Sequence, residues 1–388
     1  MIYIVILIIF AIPVFVYEGK SRRKTNVKDW SRLVYAFECL LLILLFGLRN
    51  YVGGDTISYI YLWDFIPSFK EINLLNFSAS RFMPFWYLFC AVCKSVNGEF
   101  WVLTLAHATV VNVIMFYMIS KITQHKFTAV LVYYLYPAFY FNCEIMRESM
   151  AACFFFLAMP YFMKKEWGKY YGLCFVAYMF HSSATLCFLY PLLYSFATRK
   201  LALQSIVIIS VIAGILFVGP IFENLSEMLP DVLNIFKVTR YKELTNATWM
   251  GTVREILTSV ILFIIIHERD KRINVNNLVD AGLKFYWLLI TLGIGMHILT
   301  NRFSNYFRIF VVLIIVKLIW DYKKKSLIIY LFIANTIFGQ YRLYVRESSD
   351  YYLEGYHFYD QFHPYYSIFE EVPEDIKNKR IQYMSDED

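Results

Sequence analysis

The chain reads as an all-α polytopic membrane protein of about twelve spans. Three observations carry that reading. Of its 388 residues, 59% are hydrophobic, against about 45–50% in soluble domains. Apolar runs recur along the whole length, and compact basic clusters separate them. Mean hydropathy is +0.50, so length goes into helices that bury apolar faces in lipid and not into several soluble domains.

Each crossing takes roughly 20 apolar residues to pass about 30 Å of hydrocarbon. Expected spans run near 2–17, 33–48, 101–120, 127–142, 149–163, 170–180, 183–197, 202–219, 253–267, 284–299, 306–320 and 326–343. The first, Ile2 to Tyr17, precedes its basic cluster and lacks a small-residue cleavage site, which predicts a retained helix and not a removed signal peptide. Basic residues stay on the cytoplasmic side. The clusters at 20–28, Lys121 with Lys126, 164–169, Arg199 with Lys200, 269–272 and 323–325 therefore share one face, and the chain starts outside.

Segment 85–97 does not fit that parity. It is short, opens at Pro84 and is interrupted by Lys94, so it is expected to be re-entrant or interfacial. Segments 170–180 and 183–197 are also short, and predict a tight hairpin with His181 at its outer tip, covered by other helices or a wet cavity. Residues 1–388 then form a single polytopic domain with an outer loop at 49–84, an outer lid loop at 220–252 and an outer tail at 344–388. The lid exceeds the length of a bare connection.

Net charge is +7. The basic residues gather in loops, and no dispersed basic surface predicts nucleic-acid binding. Aromatic residues make up 20% of the chain, which reads first as anchoring at the headgroup level. Seven cysteines cannot complete a disulfide framework, and the Cys90–Cys93 pair lies in an apolar run without a second pair, as buried filler does.

Ionisable groups inside such a chain are costly unless they face a polar cavity. Arg147 in CEIMRESMAA, His181 in AYMFHSSATL and Arg302 in NRFSNYFR are the candidates. A guanidinium is a permanent planar fork matched to phosphate oxygens; the plainer reading of Arg147 is an ion pair with Glu144 at i−3. His181 suits proton exchange near neutral pH, or a hydrogen-bonded core position. In YVGGDTISY, Gly53 and Gly54 open backbone space, and either Asp55 or Thr56 caps a following helix or Asp55 orients a cation or a sugar hydroxyl. Arg49, Arg240, Tyr241 and Arg308 fall in or near the same outer segments as substrate-binding candidates. HExxH and paired C-x-x-C patterns are absent and the acids are scattered, so no metal site and no cofactor are expected.

Taken in order, VGGDTISY, MRESMA, FHSSA, NRFSNYF and HPYYSIF resemble the EpsG family of bacterial polysaccharide polymerases, relatives of the Wzy O-antigen polymerases. Family members often carry Gln where this chain has Glu148, and Thr or Ala where it has Gly54. The resemblance implies a GT-C-like enzyme that acts without metal in the bacterial plasma membrane. It would join undecaprenyl-diphosphate-linked repeat units into O-antigen, capsular or exopolysaccharide at the outer face. Its partners would be that lipid-linked glycan and the membrane lipid, with a chain-length regulator and a flippase alongside. Arg147 and Arg302 would hold the diphosphate, and His181 or Asp55 would orient or deprotonate the acceptor hydroxyl. A flippase or exporter of the same glycan predicts cations along a central path and repeated helix bundles, whereas here they gather at one face. A membrane O-acyltransferase needs its histidine within reach of a cytoplasmic acyl donor, and His181 lies outside.

Overall fold

A computed structural model describes residues 2–19, 30–73, 80, 82–197, 249–270, 277–292, 302–321, 327–347 and 353–385. The architecture is all-α: no strand occurs among the described residues, and their β pairing is two isolated bridges, Arg49 with Ser367 and Glu347 with His357. Every expected span within these residues is helical over most of its described length. The span at 202–219 and the end of the one at 284–299 lie outside the described residues, as does the lid at 220–248.

Two compact units divide the chain. The first is Met1–Ala184 with Ile315–Asp321 and Thr336–Asp388; the second is Thr185–Ile314 with Tyr322–Asn335. In the first unit α1 is Ile2–Pro13, α2 Ser31–Gly47, α3 Gly54–Trp63, α4 Pro84–Val96, α5 Trp101–Ile122, α6 Lys126–Tyr133, α7 Met146–Met163 and α8 Trp167–Phe180. Among the described helices, the 22-residue α5 is long and apolar enough to cross a membrane by itself. Shorter apolar helices include Ile2–Glu18, Pro84–Val96 and Ser182–Leu192.

Prolines explain two irregular stretches. After Pro13, α1 runs on as a π turn over Val14–Glu18, and α6 continues through π turns at Tyr134–Ala138, which contains Pro137, and Tyr140–Glu144. A proline within a helix has no N–H to donate and crowds the carbonyl four residues back, and a wider turn relieves both.

Helix ends in this unit sort to two sides. Glu18 accepts from the N–H groups of Phe127 (2.8 Å) and Thr128 (3.0 Å) and so caps α6. Lys126 donates to Ser31 O, and Trp320 to Thr128 Oγ1. Lys121, in the last turn of α5, and Lys126, in the first turn of α6, thus adjoin one side. At the other, Thr104 Oγ1 donates to Gly47 O, Tyr3 to Phe362 O and Tyr365 to Leu45 O. Burial pushes the Tyr365 phenol up to about 12, which keeps it a donor.

Helix α4 stays on this second side. Lys94, near its end, donates to Trp63 O at 2.7 Å, and Trp63 Nε1 donates to Gly98 O just before α5. Trp86, near its start, meets His107 in the second turn of α5 at 6.2 Å between ring centres. Both ends of α4 therefore lie beside the opening turns of α5.

The tail closes over the Leu48–Gly54 loop. Tyr366 O accepts from Asn50 N, Ile368 N donates to Leu48 O, and Gln361 O accepts from Gly53 N. Arg380 on the helix Glu374–Ser385 is fully buried and donates to Tyr51 O, Asp360 O and Pro364 O. These bonds satisfy loop carbonyls that would otherwise be orphaned.

In the second unit, Thr185–Ala197, Trp249–Asp270 and Asn277–Leu292 are helical. Ser259 and Thr291 pair their hydroxyls at 2.6 Å, and Trp287 Nε1 donates to Ser259 O. Tyr190, Phe285 and Phe307 form an aromatic cluster beside them.

Candidate functional site around Glu144–Glu148

The helix formed by α6 and its π turns stops at Ile145, whose φ of −122° and ψ of 48° are not helical, and α7 begins at the next residue. The break lets neighbouring side chains leave in different directions. Four of the five residues in EIMRE each secure a separate part of the surroundings.

Glu144 reaches α3. Its Oε1 accepts from Gly54 N at 2.8 Å and its Oε2 from Asp55 N at 3.3 Å, across about 90 residues of sequence. Its two oxygens satisfy N–H groups that the helix leaves unpaired. The two glycines follow from this docking. Gly53 has φ of 101°, and a Cβ at Gly54 would fall 2.7 Å from Glu144 Oε2. Two expectations are corrected. Neither Asp55 nor Thr56 caps α3: Gly53 is the N-cap and has no side-chain bond. Nor does Arg147 pair with Glu144, whose carboxylate serves α3.

Met146 faces inward. Its carbonyl lies 2.9 Å from His107 Nε2, and its sulfur accepts from Arg49 at 3.6 Å. Arg49 is buried and spends its donors on Phe46 O, Val52 O, Asn142 O and Thr56 Oγ1. It braces the loop before α3.

Arg147 is half-buried. Its Nε donates to Tyr59 Oη at 2.9 Å, while Phe82 and Tyr59 flank the guanidinium with ring centres 5.1 and 5.8 Å from Cζ. Its two terminal NH₂ groups have no protein partner, and it makes no ion pair, among the described residues. The aromatic rings hold the plane of the fork, leaving its terminal donors for a ligand.

Glu148 is buried, and its Oε1 accepts from Ser183 Oγ at 3.3 Å. Ser183 Oγ stands 2.6 Å from His181 Nδ1, and the Ser183 N–H lies 3.3 Å from the same nitrogen. His181 itself is the C-cap of α8, with extended backbone. The ring is held at Nδ1, so Nε2 lies on the edge turned away from the anchor.

Asp55, through its backbone N–H, and His181, through Ser183, are therefore both tied to the pentapeptide that carries Arg147. Arg302 is exposed, and Arg308 donates to Asn305 Oδ1 at 2.7 Å; both belong to the second unit. Arg240 and Tyr241 lie outside the described residues. Sequence reasoning missed Glu144 as a cap, Tyr59 as the support of Arg147, and Glu148 with Ser183 as the anchor of His181. The signal in MRES and HSS was polarity beside an arginine and a histidine; the pairing was not visible. Among the described residues no group of three or more His, Cys, Asp or Glu side chains is placed to hold a metal ion.

The described residues are all-helical, with a buried polar hub and one helix long and apolar enough to cross a membrane. The chain belongs to the EpsG family, whose profile matches residues 32–367, and EpsG family members are Wzy-type polymerases. Comparison with curated proteins and with solved structures gives no match.

Proposed function

We propose that this protein lengthens a surface polysaccharide by joining undecaprenyl-diphosphate-linked repeat units at the outer face of the bacterial plasma membrane, as a multi-span GT-C-like enzyme. The observation that carries the reading is Arg147: a guanidinium gripped from behind by Tyr59 and Phe82, its terminal donors unspent among the described residues, one residue from the carboxylate that anchors His181.

In this reading the acceptor hydroxyl oxygen attacks the donor anomeric carbon, the bond from that carbon to the diphosphate oxygen breaks, and its electron pair leaves with the lipid diphosphate. The hydroxyl proton passes to His181 Nε2. Arg147 binds the diphosphate as a bidentate fork and stabilises the charge that grows on it in a low-dielectric setting. Glu148 and Ser183 orient the imidazole. Arg302 is a second phosphate ligand on the strength of its sequence motif alone, and Asp55 an orienting group for a hydroxyl. The sorting of helix ends supports an outer site, because Lys121 and Lys126 adjoin the opposite side of the unit. The position of α4 beside the start of α5 supports a re-entrant or interfacial segment.

The test is Arg147→Lys in purified enzyme with lipid-linked repeat units. Charge is kept but the fork is lost, and the polymerisation rate is expected to fall on the order of a hundredfold. Full-length polymer at the wild-type rate and protein level would overturn the assignment. In cells, loss of long chains with a single repeat unit retained separates a polymerase from an exporter, which loses all surface glycan.

A further inference from the structure

We propose that the groove between α4 and the segment following α3 is a glycan subsite that holds the sugars adjoining the lipid diphosphate; this deepens the polymerase reading above and rests on it. A cavity of about 470 Å³ opens there, lined by Asp64, Phe65, Glu71, Ser80, Phe82 and Lys94 among others. That size is typical of a pocket for a small ligand.

Its position and its chemistry point the same way. Phe82 belongs both to the groove wall and to the packing of Arg147, whose Cζ lies 5.1 Å from the ring centre. A diphosphate on the guanidinium would therefore carry its first sugars toward the groove. Among the described lining residues the charged groups are two carboxylates and one ammonium, a balance that repels a second phosphate group and suits donors such as sugar hydroxyls. The Asp64 carboxylate has no partner among the described residues. Glu71 holds Ser68 N (2.9 Å) and Ser68 Oγ (2.7 Å) with Oε2 alone, so Oε1 faces no competing donor from the described residues. Lys94 Nζ is steadied by Trp63 O at 2.7 Å with further N–H capacity to donate. Beside these groups Phe65 is 83% exposed, an uncovered ring whose face suits the C–H side of a pyranose. Carboxylates and an aromatic face around one groove form a surface for neutral sugars, whereas Arg147 is the anion end.

The experiment compares two ligands on the full-length protein in lipid nanodiscs: the undecaprenyl-diphosphate-linked repeat unit and bare undecaprenyl diphosphate. Asp64→Asn and Phe65→Ala alter exposed side chains and leave the Arg147 cage intact. Each is expected to weaken binding of the glycosylated lipid about tenfold, the scale of one lost hydrogen bond to a charged group or one lost aromatic contact, with unchanged affinity for the bare lipid. Wild-type affinity of both variants for the glycosylated lipid would overturn the subsite. Equal weakening for both lipids would also overturn it, by assigning the groove to the lipid and not the sugar. Failure of the wild-type protein to bind either ligand would instead strike the polymerase reading.

Discussion

Replacing Glu144 by alanine tests whether the hub organises the site. The carboxylate is 6% exposed and bridges Gly54 N at 2.8 Å and Asp55 N at 3.3 Å. Its removal strands two N–H groups at a helix start, of which the closer is the stronger bond. A stranded buried donor costs about 1–3 kcal/mol, which sets the destabilisation at about 2 kcal/mol. In a chain of this size that lowers Tm by roughly 2–3 °C. The larger effect is positional. Tyr59 sits on α3, five residues beyond Gly54, and fixes Arg147 Nε, so a loosened helix start frees the guanidinium. Glu144→Ala is expected to cut polymerisation at least tenfold, with Glu144→Gln between it and wild type because the amide oxygen still accepts one bond. Thermal unfolding of the detergent-solubilised protein and single-turnover polymerisation give the two readings. A Glu144→Ala protein that melts with wild type and polymerises at its rate would refute the hub.

Ser183→Ala removes the hydroxyl between Glu148 and His181 Nδ1, so kcat is expected to fall about tenfold or more with unchanged binding of the lipid-linked donor; an equal loss of donor binding would show a structural role instead. In a cysteine-free background, a cysteine replacing exposed Phe369 is expected to react with a membrane-impermeant thiol reagent on intact spheroplasts, and one replacing Gln124 is expected to be protected. The opposite labelling pattern would invert the proposed topology.

Much of the helical order was legible because it follows from local chemistry. Apolar runs bounded by basic residues mark helices whose lipid- or core-facing sides need no distant partner to be recognised, and α2, α5 and α8 appear close to their expected limits. Arg147 and His181 were visible as charges in expensive places. Sequence distance hid the connections between them. Glu144 lies 90 residues from Gly54, Glu148 35 from Ser183, and Asn142 93 from Arg49, and no periodicity of 3.6 residues reports such pairs. Arg49 illustrates the difference. From sequence it is a loop cation open to substrate, whereas the fold turns it inward, because five neighbouring acceptors satisfy its donors there. Glu144 illustrates the converse: a residue expected to neutralise its neighbour caps a helix instead. Composition and patterning thus determined an all-helical membrane chain and the residue types at its polar end. Only tertiary structure decided which of those groups brace the backbone and which keep donors for a ligand, since a buried polar group must find its partners wherever the folded chain supplies them.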